Sequence, residues 1–265
     1  MKQKWWRKLA IGCLMLMTGI AATGCDGDSD DKTEAPSDPV ALIQETAAQI
    51  DQAQSFRLLL AQEGQPTVIA NDLDLEITLN SADAIFVQPD RVRAKVSVSI
   101  DAVTQEVQLI AVAENQYINN RFLTNEQWTL MTFARDFSPA DLQSADQGIG
   151  NALRSAQDVQ LVGEEEVEGV PVYHLKATVE ANKVRSVTVG LIGTKEGAIE
   201  IDVYVRTSDK NLAQIKLTEP PQPDAESQDP TIWIISFAGY GNYKAEEVEE
   251  PQVEATNNAE STPAN

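Results

Sequence analysis

Histidine, cysteine and positive charge are scarce in this chain, and each shortage removes a class of function. The single histidine, His174, is the only base open to a Ser-His-Asp or Cys-His arrangement. It stands in a strand-like run without G-x-S-x-G, HExxH or CxxC to accompany it. With Val172, Lys176 and Thr178 it falls on one side of an alternating strand and is expected at the surface. The 20 basic residues face 41 acids, for a formal charge of -21. A surface of that sign repels nucleic-acid phosphates and anionic headgroups, so no nucleic-acid partner is expected. The main work of the acids is solubility, and no pair of carboxylates stands out for catalysis. Asp26-Gly27-Asp28-Ser29-Asp30-Asp31 alternates like a calcium loop but lacks the spaced Glu and flanking helices of an EF-hand. Catalytic residues, metal and cofactor are therefore all read as none. Aromatics make up only 6% of the chain against 42% hydrophobic residues, so its apolar side chains are mainly aliphatic. No apolar run reaches the roughly 20 residues of a spanning helix.

The one sustained apolar run, from Leu9 to Ala22, is broken by Gly12, Thr18 and Gly19 and follows Lys2, Lys4, Arg7 and Lys8. A basic segment and an apolar one of about 14 residues make an export signal. At its end, Ala22-Thr23-Gly24-Cys25 resembles the lipobox of bacterial lipoproteins, although that pattern prefers Leu where Ala22 stands. The resemblance implies that the Cys25 thiol receives a diacylglyceryl group and that residues 1–24 are removed. Ordinary cleavage near Ala21-Ala22-Thr23 is the alternative. Cys13 lies inside the discarded segment, so Cys25 is left without a disulfide partner in the monomer. Loss of the four cations takes the formal charge to about -25.

Residues 25–38 are acidic, hold no large apolar side chain and read as a disordered tether. A helix is expected from Asp38 as N-cap and Pro39 at its first position, with Val40, Ile43, Ala47 and Ile50 as its stripe. After Gln54 the period becomes two: Phe56, Leu58 and Leu60; Leu73, Leu75, Ile77 and Leu79; Val92, Ala94, Val96, Val98 and Ile100; Val107, Leu109, Ala111 and Ala113. Ile110 and Val112 point to partial cover on the second face. Asn119-Asn120 is expected to turn the chain through positive φ. The aromatic stretch Phe122, Trp128, Met131, Phe133 and Phe137 has no steady period and reads as packing at a sheet edge. A second helix is expected from Ser138-Pro139, with Asp141 reciprocating the cap and Leu142, Ala145, Ile149, Ala152 and Ala156 as its stripe. Gly148 and Gly150 weaken that helix by about 1 kcal/mol each. Strands then run over 159–167 and 170–179 around a Glu168-Gly169 hairpin, over 199–205, through Ala213, Ile215 and Leu217, over 231–237, and briefly near Val248. Residues 183–197 read as a mobile apolar loop, and the chain beyond Pro251 as a disordered tail.

About ten strands against two helices leave more dry sheet than the helices can cover. The excess can close into a packed sandwich, meet another chain, or enclose a ligand cavity. Trp128, Phe137-Ser138-Pro139-Ala140-Asp141-Leu142 and Gly163-Glu164-Glu165-Glu166-Val167-Glu168-Gly169-Val170-Pro171-Val172-Tyr173-His174-Leu175 resemble the LppX/LprG (LprAFG) family of envelope lipoproteins. So do Ile201-Asp202-Val203-Tyr204-Val205, Leu212-Ala213-Gln214-Ile215, Ile235-Ser236-Phe237-Ala238-Gly239-Tyr240 and Glu250-Pro251, in the same order. The resemblance implies an α+β fold, a curved antiparallel β-sheet (a LolA-like half-barrel) with a few helices on the concave side enclosing an apolar cavity. It also implies a non-catalytic carrier of acylated lipids, glycolipid or triacylglycerol in type. On this reading residues 39–251 form the lipid-binding domain and 252–265 the tail. Val96, Val98, Leu109, Ala111, Tyr173, Leu175, Ile201 and Val203 line the cavity, and 183–197 supplies a lid. Cys25 anchors the protein to the extracytoplasmic face of the cell membrane, with an envelope transport protein as a further partner. The rival expectation is an anchored scaffold or regulatory module with a packed core and a basic protein partner.

Overall fold

In a computed structural model, which describes residues 36–69, 77–100, 103–134, 137–192, 196–221 and 227–253, the chain enters its first element at Asp38. The export signal, Cys25, Leu73, Leu75 and the acidic tail beyond Val253 lie outside the described residues. The Asp38 carboxylate accepts from the N–H groups of Val40 and Ala41, at 2.9 and 3.0 Å, and caps α1 (Pro39–Gln52). Replacing Asp38 with Ala is expected to cost about 1 kcal/mol, read as a lower urea midpoint at unchanged slope. The buried face of α1 is Leu42, Ile43, Thr46, Ala47 and Ile50. Val40, expected in that stripe, is instead exposed, because the face lies one residue further round the helix.

Among the described residues eleven strands follow: β1 (Ser55–Gly64), β2 (Ile77–Val87), β3 (Arg91–Ile100), β4 (Val103–Val112), β5 (Asn115–Asn119), β6 (Thr129–Leu130), β7 (Gln157–Val167), β8 (Val170–Glu180), β9 (Ala198–Arg206), β10 (Leu212–Glu219) and β11 (Thr231–Ala238). They make one antiparallel sheet, in the order β6-β5-β4-β3-β2-β1-β11-β10-β9-β8-β7. Two meanders thus meet where β1 pairs with β11, Arg57 opposite Ala238 and Leu60 opposite Ile235. The curved sheet is not closed, since β6 and β7 stand at opposite ends of the order.

The second expected helix is two pieces. Residues 139–143 form a 3-10 turn, and α2 (Ile149–Arg154) starts only after Gly148. Asp141 accepts from Ser138 N–H at 2.8 Å as the sequence implied, but Ala145 falls in the break and is exposed. The break fits the two glycines. A side chain at Gly148 would run into the Ser144 carbonyl, and one at Gly150 into the carboxylate of Asp51. Gly150 therefore lets α2 approach the end of α1, where Arg154 Nη1 lies 2.7 Å from Asp51 Oδ2. Gln143 completes the junction by donating its amide to the Ile50 carbonyl in the last turn of α1 at 2.7 Å and to the carbonyl of Ala53, its C-cap, at 2.8 Å.

Other expectations are corrected by local geometry. A bulge between Leu212 and Gln214 keeps Leu212 on the helix-bearing face and turns Ala213 to the other side, against Val172 and Tyr204. Val248 belongs to no strand; it follows a 3-10 turn and is buried on Val87, Ile110, Val112 and Tyr117. Arg91 Nη1 donates to its carbonyl at 2.8 Å, so the C-terminal segment straps the outer face and supplies the cover expected over Ile110 and Val112. At the β5–β6 turn, positive φ falls on Asn125 and Glu126 rather than on Asn119 and Asn120. Asn120 serves through its side chain, accepting from the N–H groups of Phe122 and Leu123 at 2.9 and 3.0 Å. The described part of 183–197 is packed, not loose: Val184, Val187 and Ile192 are all buried in the main core.

Candidate functional site

The inner face of the sheet, the one that carries α1 and α2, has two unequal halves. On β8, β9 and β10, Tyr173, Leu175, Ile201, Val203, Ile215 and Leu217 are 0–1% exposed beneath Ile43, Ala47, Ile149 and Leu153. On β2, β3 and β4 the same face is apolar apart from Gln105, which pairs with Val98, and is only partly covered. Val92, Ala94, Val98 and Val107 keep 6–9% exposure, and Ile77, Ala82, Ala84, Val96, Ile100 and Leu109 are intermediate. Register places them side by side: Ala82 opposite Val96 and Val96 opposite Val107; Ala84 opposite Ala94 and Ala94 opposite Leu109. The strip runs out toward Ile77, Ile100 and Val103, which pair in turn across β2, β3 and β4, and Val103 stands 59% exposed. Among the described residues, the helical cover nearest this half is the 139–143 turn, which bears Leu142 and touches β3.

All eight side chains expected to line a cavity lie on this face, divided between its halves. Val96, Val98, Leu109 and Ala111 sit in the half-covered strip, Ala111 fully buried and Val96 and Leu109 partly open. Tyr173, Leu175, Ile201 and Val203 belong to the sealed half. A depression of about 430 Å³ lies on the other face of the sheet, floored by Leu59, Ala61 and Ile234 and edged by Asp83, Lys95, Glu106 and Glu168. Its charged rim is unsuited to acyl chains.

Tyr173 is the one polar misfit of the sealed half. Its hydroxyl is buried without a hydrogen-bond partner, and Lys210 Nζ lies 4.5 Å above its ring. Burial, and then the nearby Glu164 carboxylate, push its phenol above the ordinary tyrosine range. Tyr173→Phe is therefore expected to leave stability unchanged or raise it by up to about 1 kcal/mol, in contrast to most core substitutions. A lowered urea midpoint would show that the hydroxyl has a partner after all.

The outer face corrects the reading of His174. It is buried, stacked on Tyr204 with ring centres 4.5 Å apart. Nδ1 lies 2.6 Å from Glu165 Oε1 on β7 and Nε2 lies 2.6 Å from Asp202 Oδ1 on β9. Tyr204 is pushed up to about 12 by its burial and then by the Asp202 and Glu165 carboxylates. Strand alternation placed His174 outside correctly; it could not show that Val172, Tyr204 and Ala213 build a second small core there. With one imidazole nitrogen facing each carboxylate, His174 on β8 ties β7 and β9 together as a three-strand clamp.

The profile of the LppX_LprAFG lipoprotein family matches residues 38–237. The chain belongs to that family. Curated relatives named lipoarabinomannan carrier protein LprG, from Mycobacterium tuberculosis (strain ATCC 25618 / H37Rv) and Mycobacterium bovis (strain BCG / Pasteur 1173P2), are 22% identical over 214 residues, 80% of this chain and 85% of theirs. Among solved structures, LprF from Mycobacterium bovis superposes with a TM-score of 0.59 at 13% identity, covering 80% of this chain and 96% of LprF. Lipoprotein LppX from Mycobacterium tuberculosis gives 0.51 at 16% identity, covering 82% and 98%. At these identities the structural likenesses establish a shared fold, the open antiparallel sheet with few helices. The family is one of lipoproteins, which agrees with a place in the cell envelope.

Proposed function

We propose that this family member is an envelope lipoprotein that is anchored through Cys25 and carries an acylated lipid on the inner face of its sheet, without covalent chemistry. The observation that carries the reading is the inequality of the two inner halves. One is sealed by helices; the other presents a strip of aliphatic side chains without equivalent cover among the described residues. At about 0.8 kcal/mol per buried methylene, a chain of roughly 15 methylenes needs about 12 kcal/mol of shelter outside a bilayer. Val, Leu, Ile and Ala provide that shelter and polar surface does not. The sealed half holds the strands in place while the acyl chain lies against β2, β3 and β4 and enters from the Val103 end. The relatives' name, lipoarabinomannan carrier, agrees with cargo of this kind. Two or three acyl chains on Cys25 give stable anchoring, where one gives only marginal binding.

Native mass spectrometry of protein purified without added lipid is expected to show co-purifying acyl species. Repeated preparations of clean apo protein would remove the carrier reading. The full packing of Tyr173, Leu175, Ile201 and Val203 favours the rival, an anchored scaffold. That rival predicts no uptake of a fluorescent fatty-acyl probe by the folded protein.

A further inference from the structure

The sheet edge at β6 carries large apolar side chains that the fold leaves in water. Phe122 is 67% exposed, Leu130 59%, Met131 44% and Leu123 40%, all within ten residues. The turn that presents them is firmly built. Besides the Asn120 bonds to Phe122 and Leu123, Asn120 Nδ2 donates to the Glu106 carbonyl at 2.9 Å and Asn119 Nδ2 to the Glu126 carbonyl at 2.9 Å. On the far side of β6, Gln116 accepts from the N–H groups of Phe133 and Ala134 and donates to the carbonyls of Ala134 and Phe137. Trp128 rests partly buried against the outer patch of Val87, Ile110 and Val248. Apolar groups held outward by so many hydrogen bonds mark an interaction surface.

Charge selects the partner. In a chain with 41 acids, residues 121–134 hold only Arg121 and Glu126, and none of residues 127–134 is charged. An apolar patch whose own stretch, 127–134, is uncharged and has a tryptophan at its margin, with the neighbouring Glu250 carboxylate accepting from Asn115 Nδ2 at 2.7 Å, suits the interfacial zone of a bilayer of zwitterionic lipid. The rest of the surface is acidic and would be held off an anionic one.

Reach makes that partner available. If Cys25 is the anchor, the 13 residues from Asp26 to Asp38 span at most about 45 Å. A domain of about 215 residues has a radius of gyration of about 17 Å. The tether therefore permits any face to meet the membrane, and the surface itself must choose. We infer that the 121–131 edge is a docking surface for the zwitterionic bilayer that holds the anchor. The inference rests on the Cys25 anchoring proposed above. Docking there has a use: β5 lies beside the half-covered strip, with Ile118 opposite Leu109, so the edge brings the strip toward the lipid.

The test uses the full chain, exported and processed in a bacterial host, extracted in detergent and reconstituted into phosphatidylcholine vesicles. Trp128 reports the contact, as the difference in emission between the chain and Trp128→Phe. Phosphatidylcholine brominated in its acyl chains is expected to quench most of that difference. Phe122→Ser with Leu130→Ser is expected to abolish the quenching while thermal unfolding stays as in the parent. Protein that floats with the vesicles but shows no quenching overturns the docking surface and leaves the anchor standing. Protein that fails to float overturns both. A dimer that light scattering detects in the parent and not in the double variant, with no quenching, assigns the edge to a second copy instead and overturns the proposal. Co-purified acyl lipid, read separately by mass spectrometry, keeps the carrier reading independent of all three.

Discussion

Replacing Val96 with aspartate is expected to give a folded protein emptied of acyl cargo, whereas Ile201→Asp is expected to give no stable fold. Both residues face inward from strands, and both are aliphatic. Val96 is half-open, flanked in register by Ala82 and Val107, so a carboxylate there keeps water and burdens the fold by about 1 kcal/mol. Against acyl methylenes the same charge loses its hydration, and cargo affinity is expected to fall at least 100-fold, about 2.7 kcal/mol. Ile201 is 1% exposed, between Ala177 and Leu217. An unpaired charge there costs about 3–5 kcal/mol or more, comparable with the whole stability of many domains. Native mass spectrometry and urea unfolding of the two variants separate the halves. Undiminished cargo on folded Val96→Asp would show that the strip is not the seat. A stable Ile201→Asp would show that the β8–β10 half is not the core.

Opening the His174 clamp is expected to destabilise the protein by about 1–3 kcal/mol, and removing the clamp altogether is expected to do less harm. His174→Leu leaves Glu165 and Asp202 with no common partner and takes away the stack on Tyr204. Side-chain exposure of 45% at Glu165 and 21% at Asp202 lets water relieve part of the loss, which keeps the figure below that of a fully buried pair. In the triple variant His174→Leu, Glu165→Leu, Asp202→Leu, no charge is stranded and apolar contact with Val172 and Tyr204 is extended. Its urea midpoint is expected to recover at least half of what the single substitution lost. Additive losses across the three positions would mean that each side chain holds its strand independently.

The sheet was largely legible from period-two patterning, because one residue in two really does face a dry interior: Phe56, Leu58 and Leu60, then Ile199, Ile201, Val203 and Val205. The caps at Asp38 and Ser138 and the turn at Glu168-Gly169, with φ of 51° and 82°, were legible because each depends on local chemistry alone. What escaped depended on distant partners. Nothing near Ala213 announces a bulge, and nothing near Val248 says that Val87 and Tyr117 await it across the sheet. Segment 183–197 looked loose through its glycines, yet Val187 and Ile192 are core. Parity alone puts the eight expected lining residues on one face of the sheet; which of them are sealed follows from where α1 and α2 settle, and parity carries no such information.

The meeting of β1 with β11 also orders the steps of assembly. Within each meander, neighbours in the sheet are neighbours in sequence, so both can assemble from short-range hairpins as the chain emerges. The seam between them joins residues such as Arg57 and Ala238, and it must wait until almost the entire polypeptide is available. Closing so long a loop is slow, and until then two naked strand edges face each other across the gap. For this protein, newly made chains are most exposed to mispairing at the middle of the finished sheet, not at its rims.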